Sequence, residues 1–553
     1  MSDGASRVFR RVDGRRASGD HACSGFDGLS AVSGRERTLM TFFAPDWISH
    51  HAAVAPGRRA MTDIHSGRSF TYAEMNERCS RLASHLRHLG IGHGDRVAVL
   101  CYNSTDVFEI QFACCKLGAA FVPLNWRLAA AEITAIVENA SPKVLIHGAE
   151  FSDTSRSLKA GGHVAHVIEV NDGAASDYED AIRASDAIEH PCAITQDDIL
   201  AIMYTSGTTG LPKGVLVTQR MAIFSAVNGM MKTGVNEHST GLTFLPLFHV
   251  GGLFLMANFI FHAGGHNVVM RSFDSGECLK LLADKSIRIS HAFGVPTNFA
   301  MISELPDFAS CDLSHIECLM VGGAPSPMGL LTAYGNKGIR LQQGWGMTET
   351  ATIGTVLSAD DALAKIGSAG RPVMHAELAI LDDEYRPLPT DAVGQLAIRG
   401  PTVTPGYWQQ PAATEAAFHR GWFLTGDAAR VDQDGFYYIV DRWKDMYISG
   451  GENVYPAEIE SVLSRLNGVK EAAVIGVPDE KWGEVGCAFV VCQDGIALRA
   501  EDVMVYCADH LARFKLPKQI ILVEDIPHTA AGKISKPELR GNYRSGKYDL
   551  SIS

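Results

Sequence analysis

Tyr204-Thr-Ser-Gly-Thr-Thr-Gly-Leu-Pro-Lys-Gly-Val215 follows directly on the apolar, strand-like run Ile199-Leu-Ala-Ile-Met203. Its twelve residues gather four serine and threonine hydroxyls, three glycines and one lysine. Glycine lets a backbone approach a bulky anion and adopt positive φ. The hydroxyls are donors for phosphate oxygens, and Lys213 brings a compact positive charge. A loop of that make-up after a strand is expected to cradle a polyphosphate. It is not the Walker A pattern, Gly-x-x-x-x-Gly-Lys-Ser/Thr, because Pro212 precedes Lys213 and Gly214 follows it. The competing reading is a flexible surface loop that happens to be rich in glycine and threonine.

Around this loop the chain alternates helix and strand. Thr71-Tyr-Ala-Glu-Met75 opens a helix with a Thr/Glu capping pair. Arg96–Leu100 reads as a short buried strand, Val107–Leu117 has helical apolar spacing, and Ala119–Pro123 returns to strand. Val144–Ile146, Ile289–Phe293 and Cys318–Val321 repeat the alternation. Such a pattern predicts parallel sheets covered by helices. Between 366 and 440 the texture changes to short strands at Glu377–Leu381, Gln395–Arg399, Ala429–Asp432 and Phe436–Val440, separated by Gly, Pro and Asp turns. This predicts a smaller antiparallel, barrel-like β subdomain. A separate α+β pattern starts after Lys444: helix Ala457–Leu466, strands Val469–Val477 and Ala488–Cys492, helix Asp502–Leu511, strand Gln519–Val523. The fold class is therefore α/β. The expected partition is a tail over 1–40, a large domain over 41–441 carrying the β subdomain, a hinge over 442–446 and a small mobile α+β domain over 447–553.

Bulk properties narrow the function. At 553 residues the chain exceeds what one hydrophobic core supports. A net charge of −13 argues against a broad nucleic-acid footprint. Twelve cysteines without a Cys-x-x-Cys suggest neither a disulfide framework nor a zinc site and fit a reducing cytoplasm. The apolar run Leu253–Phe261 is too short to span a bilayer and reads as a buried helix. The first forty residues lack the apolar core of a secretory signal; a disordered tail, or an upstream start with Met40 as the true first residue, is expected.

Seven further segments follow the loop in order. They are Leu245-Pro-Leu-Phe-His-Val-Gly-Gly252, Val321-Gly-Gly-Ala-Pro325, Gln343-Gly-Trp-Gly-Met-Thr-Glu-Thr350, Gly421-Trp-Phe-Leu-Thr-Gly-Asp427, Tyr438-Ile-Val-Asp-Arg442, Ile448-Ser-Gly-Gly-Glu-Asn-Val-Tyr-Pro456 and Pro527-His-Thr-Ala-Ala-Gly-Lys-Ile534. With the loop they resemble the adenylate-forming superfamily: acyl- and aryl-CoA synthetases, firefly luciferase and the adenylation domains of peptide synthetases. The resemblance covers residues 45 to 545. It implies an acyl-CoA synthetase: a carboxylate attacks the α-phosphate of ATP, pyrophosphate leaves, and coenzyme A then displaces AMP. The implied partners are ATP, Mg2+, coenzyme A and a hydrophobic acid, with a fatty acid expected first and an aryl or alicyclic acid second. Homodimerisation is left open.

The resemblance also distributes roles. Thr205, Ser206, Gly207, Thr208, Thr209, Gly210 and Lys213 would hold the β- and γ-phosphates. Glu349 would ligate magnesium, since a carboxylate beside a triphosphate is repulsive unless a cation intervenes, and Thr348 would donate to the α-phosphate. Asp427 and Arg442 would hold the ribose. Gly323, Ala324, Pro325, Trp345 and Gly346 would form the adenine slot, although Trp345 reads equally as core packing. Lys533 would be the cation of the adenylation step. Lys444 occupies the hinge position, Gly450 and Gly451 would line the pantetheine tunnel, and Trp482 with the run Arg513–Lys518 would meet the CoA nucleotide or simply form a solvated basic face. His249 would stand at the mouth of the acyl pocket. Gln219 and His528 depart from the family pattern, where histidine and a basic residue are commoner.

Overall fold

The computed structural model describes residues 42–172, 175–188, 191–205, 212–324, 326–362, 364–449, 452–479, 482–511, 513–529 and 533–548. Residues 42–553 group into one compact unit by their contacts. Two large sheets dominate. One has six strands, five of them parallel; the other has nine, with a run of six parallel strands at its centre. One hydrophobic cluster joins side chains of both sheets to the helices Tyr72–His88 and Thr105–Leu117. Parallel strands need crossovers, and the helices that supply them bury both sheet faces.

Local sequence accounts for many of these elements. Thr71 caps the Tyr72–His88 helix, taking the Glu74 backbone N–H while the Glu74 carboxylate takes the Thr71 N–H; such caps contribute about 1 kcal/mol. The Thr105–Leu117 helix is buried nearly all round, so its charged residues need partners. Glu109 receives a bidentate bond from Arg78 at 2.6 and 3.0 Å, and Lys116 bonds Asp46 at 2.6 Å. Among the described residues every cysteine is a free thiol, and no helix is long and apolar enough to cross a membrane.

Two expectations are corrected. The run Leu253–Phe261 is two helices, Val250–Leu253 and Met256–Ala263, because Leu255 takes φ −75°, ψ −112° and interrupts the turn. The strand expected over Ala429–Asp432 spans Trp422–Val431. The strand after the glycine-rich loop, Lys213–Thr218, runs antiparallel to Ile199–Thr205 and forms the edge of the six-stranded sheet. Thr205 pairs with Lys213 where the two strands meet the loop.

Residues 366–440 contribute a five-stranded antiparallel sheet, including Glu377–Leu381, Gly394–Arg399, Trp422–Val431 and Tyr437–Arg442. Beyond residue 446 a further five-stranded sheet pairs Val469–Asp479 with Gly483–Cys492 and sets Gln519–Leu522 parallel beside the latter. A 3-10 turn at Trp443–Asp445 connects the two sheets.

Candidate active site

The ends of the hairpin strands place Thr205 and Lys213 side by side, with the Thr205 hydroxyl 3.4 Å from the Lys213 carbonyl. The Lys213 ammonium lies 5.0 Å from the centre of the Tyr407 ring. Ser206, Gly207, Thr208, Thr209 and Gly210 lie outside the described residues, as do Pro325, Gly450 and Gly451.

Thr348 and Glu349 form a short 3-10 turn after the strand Gln342–Trp345. The turn is held by unusual backbone: Ala351 has φ 46° and Thr352 φ 105°. Positive φ at a β-branched residue is strained and persists only where surroundings over-determine it. Here Ser225 does so, donating to the Ala351 carbonyl at 2.5 Å and lying 2.8 Å from the Thr352 hydroxyl. Gly346 is required as well, since a Cβ there would run into the Thr352 carbonyl. Glu349 is 8% exposed and accepts the Tyr407 hydroxyl at 3.0 Å. Its carboxyl is pushed above the ordinary range by burial first, with the Tyr407 bond and Arg442 opposing. Among the described residues no three His, Cys, Asp or Glu side chains converge as a metal cage. A lone carboxylate beside hydroxyls still fits Mg2+, which takes one or two carboxylates when phosphates supply other oxygens.

Asp427 and Arg442 are cross-strand partners, which accounts for their 2.9 Å ion pair. Trp345 Nε1 donates to the other Asp427 oxygen at 2.9 Å, joining the nine-stranded sheet to the β subdomain. The Trp345 ring is 9% exposed and belongs to a core cluster with Ile353, Ile398 and Phe423. Burial raises the Asp427 carboxyl, while Arg442, Trp345 and Lys533 pull it down. Lys533 as a whole is exposed, but its ammonium is crowded: burial lowers it first and Arg442 next, with Asp427 opposing. A small ladder holds its loop, Thr529 N–H to the Lys533 carbonyl at 2.7 Å and Lys533 N–H to the Thr529 hydroxyl at 3.3 Å.

His249 shares this electrostatic neighbourhood. Its imidazole is lowered to about 4 by burial first, then Arg127 and Lys533, and its buried Nε2 has no hydrogen-bond partner among the described residues. The turn that carries it is pinned by Asn103, whose amide donates to the Leu245 and Met270 carbonyls at 3.0 and 3.1 Å and accepts the Leu247 N–H at 2.9 Å. Gly252 is needed there because a Cβ would strike the Pro246 carbonyl. An aromatic wall continues outward, with His249 4.5 Å from Phe248 and Phe248 5.9 Å from Trp126. Arg127 lies over both Trp126 and Phe248.

The structure thus gathers His249, Glu349, Asp427, Arg442 and Lys533 into one charge-coupled group, with Trp345 bonded to Asp427. Gly323, at φ 83°, and Ala324 are exposed at the end of the strand Cys318–Gly322. Lys444 lies in the connecting 3-10 turn. Trp482, 42% exposed, precedes Gly483, which pairs with Ser449. In the basic run, Lys515 is ion-paired to Glu458 at 2.6 Å. The Gln219 amide is turned toward Cys115 at 3.8 Å, and His528 bonds Glu471 at 2.7 Å. Sequence reasoning missed Tyr407, Asn103 and Ser225. Only Tyr407 had a local signal, in the bulky-polar run Thr404-Pro-Gly-Tyr-Trp408.

A family model for AMP-binding enzymes matches residues 48–408, and one for the C-terminal domain of these enzymes matches 458–533. A feruloyl-CoA synthase from an Amycolatopsis species is 38% identical over 497 residues, 90% of this chain and 98% of its own length. A long-chain-fatty-acid–CoA ligase, FadD13 from Mycobacterium tuberculosis, is 39% identical over 90% of this chain and 97% of its own. Among solved structures, the o-succinylbenzoate–CoA synthetase of Bacillus subtilis in complex with ATP and magnesium superposes with a TM-score of 0.79 at 30% identity, covering 90% of this chain and 99% of its own.

Proposed function

This chain belongs to the AMP-binding enzymes and is an AMP-forming acid–CoA ligase using ATP, Mg2+ and coenzyme A; on that premise we propose that its acid is hydrophobic, a fatty acid first. The observation that carries this reading is the surroundings of His249, which would form the mouth of the acyl pocket. The groups acting on its imidazole are cationic, Arg127 and Lys533, and its walls are Phe248 and Trp126. Cations at the neck suit a carboxylate head, and apolar walls beyond suit a hydrophobic body. The segment Leu245–Gly252 carries no aspartate to grip an amino group, which disfavours an amino-acid substrate.

In the first half-reaction a carboxylate oxygen bonds the α-phosphorus of ATP and pyrophosphate departs. Little covalent chemistry falls to the protein, so positioning and charge stabilisation dominate. Asp427 and Arg442 would fix the ribose from adjacent strands. Lys213 and the hydroxyls of the glycine-rich loop would receive the departing phosphates. Lys533 would neutralise charge between carboxylate and ribose, consistent with its coupling to Asp427 and Arg442. Glu349 would hold Mg2+, which when bound supplies positive charge to the phosphate oxygens, and Thr348 would donate to the α-phosphate. In the second half-reaction the thiol sulfur of coenzyme A bonds the acyl carbon, its proton leaves and AMP departs. Lys533 and the turn beginning at Ser449 belong to one carboxy-terminal domain yet serve different steps. That domain would therefore rotate about 442–446 between the two half-reactions. The cytoplasm suits its free thiols and substrates.

A second reading, an aryl-acid ligase, is favoured by the ring stack His249–Phe248–Trp126–Tyr102. The feruloyl and long-chain relatives stand at 38% and 39% identity, so resemblance alone does not separate the classes. A panel of straight-chain, branched and aromatic acids, assayed for pyrophosphate release with and without coenzyme A, tests both. Release that needs an acid but not coenzyme A, and is greatest with fatty acids, is expected. Greatest release with aromatic acids would replace the first reading by the second.

A further inference from the structure

Tyr407 belongs to a strap, Thr404–Trp408, laid along the outer edge of the cradle hairpin. An edge strand exposes unpaired backbone groups, and here the strap satisfies several of them. Leu216 donates its N–H to the Gly406 carbonyl at 3.1 Å, and Trp408 donates its own to the Gly214 carbonyl at 2.7 Å. The Thr404 hydroxyl donates to the Leu216 carbonyl at 2.7 Å. At its start the strap is also tied to the metal acid, because the Thr404 N–H donates to the Glu349 carbonyl at 2.8 Å. Gly406 has φ 146°, and a Cβ there would strike Thr414, so the bend that presents the tyrosine demands glycine. The ring that emerges touches both halves of the phosphate site: its hydroxyl bonds Glu349 Oε1, and its face lies under the Lys213 ammonium.

We infer that Tyr407 is a positioning residue that aims the Glu349 carboxylate at the metal and seats Lys213 against its ring, registering metal acid and phosphate lysine to one another. The inference rests on the adenylation reading above for the identity of the ligands. A donor to one carboxylate oxygen fixes the rotamer and directs the other oxygen's lone pairs elsewhere. A cation over a tyrosine face is held in place without being neutralised.

Two variants separate the two contacts. Tyr407→Phe removes the hydroxyl and keeps the ring; Tyr407→Leu removes both. Metal binding is read directly as Mn2+ capture by electron paramagnetic resonance, in the presence of α,β-methylene-ATP. The Phe variant should bind Mn2+ about tenfold more weakly, with unchanged affinity for the analogue in the absence of metal. The Leu variant should lose a further three- to fivefold in analogue affinity. Both should keep the wild-type melting temperature and the rate of thioester formation from a supplied acyl adenylate. Wild-type Mn2+ affinity in Tyr407→Phe would overturn the inference. So would equal losses in the two variants accompanied by a fall in melting temperature, which would mark a purely structural tyrosine. If the wild-type protein bound Mn2+ with the analogue yet released no pyrophosphate with any acid, the functional reading would fail while this assignment stood.

Discussion

Asp427 and His249 face one charged neighbourhood and are held in opposite ways. Asp427 has a partner on each oxygen, Arg442 across the strand pair and Trp345 from the neighbouring sheet. His249 has a buried nitrogen with no partner among the described residues, a neutral ring and cations for neighbours. In the proposed roles, the nucleotide side is preorganised by protein–protein bonds, and the acyl side at His249 keeps hydrogen-bonding capacity in reserve. Preorganisation suits a ligand that is the same in every turnover. An unpartnered group suits the site where the acid must bring its own half of the bond, because a desolvated polar group rewards whatever satisfies it.

The contrast can be broken from either side. The largest effect is expected from Lys533→Ala, which should lower acid-dependent pyrophosphate release about 100- to 1000-fold while sparing thioester formation from a supplied acyl adenylate. Equal loss in both half-reactions would remove Lys533 from its proposed step. Next is Asp427→Ala, which leaves Arg442 and Trp345 Nε1 without their acceptor. A loss of about 100-fold in kcat/KM for ATP is expected, with the KM of the acid little changed. Trp345→Phe keeps an aromatic ring in the core but deletes the donor and part of the indole. It should raise the KM for ATP about five- to tenfold, and a loss as large as that of Asp427→Ala would show the ring itself to be the main contact.

The smallest effect concerns pH. His249 has a folded value of about 4 against an ordinary 6.5, so the native ring stays neutral while the unfolded chain gains a proton as pH falls below 6.5. Its contribution is therefore a destabilisation that is absent above pH 6.5 and grows as pH falls toward 4. Melting temperatures at pH 7 and pH 5 should differ less in His249→Phe than in wild type. The profile of kcat/KM for the acid should show no inflection from this ring between pH 6 and 8. An inflection near 6.5 that His249→Phe abolished would mean the mouth is wetter than its geometry implies.

The legibility of the molecule follows the range of the forces involved. The Arg96–Leu100 and Glu377–Leu381 strands match their sequence bounds because apolar runs ended by turn residues act over a few positions. The capping pair Thr71/Glu74 is equally local. Leu253–Phe261 was less legible: an all-apolar run carries no periodicity to show where a helix breaks. Trp345 could be read as core or as site, and the structure puts its ring in the core and its nitrogen on Asp427. Asn103 and Ser225 could not be found in the sequence, since a buried amide or hydroxyl has no local signature and acts across 142 and 126 residues.

What the sequence determined alone was the chemistry of the parts: a hydroxyl- and glycine-rich loop, the carboxylates of Glu349 and Asp427 and the late lysine Lys533, each set by residue type and close neighbours. The tertiary structure decided which of them meet. It set the strands on either side of the glycine-rich loop antiparallel, paired Asp427 with Arg442 by strand register, and brought Tyr407 between Lys213 and Glu349. Side-chain chemistry is written residue by residue, but the distance between residues far apart in the chain is fixed only when sheets pair and buried polar groups must find partners.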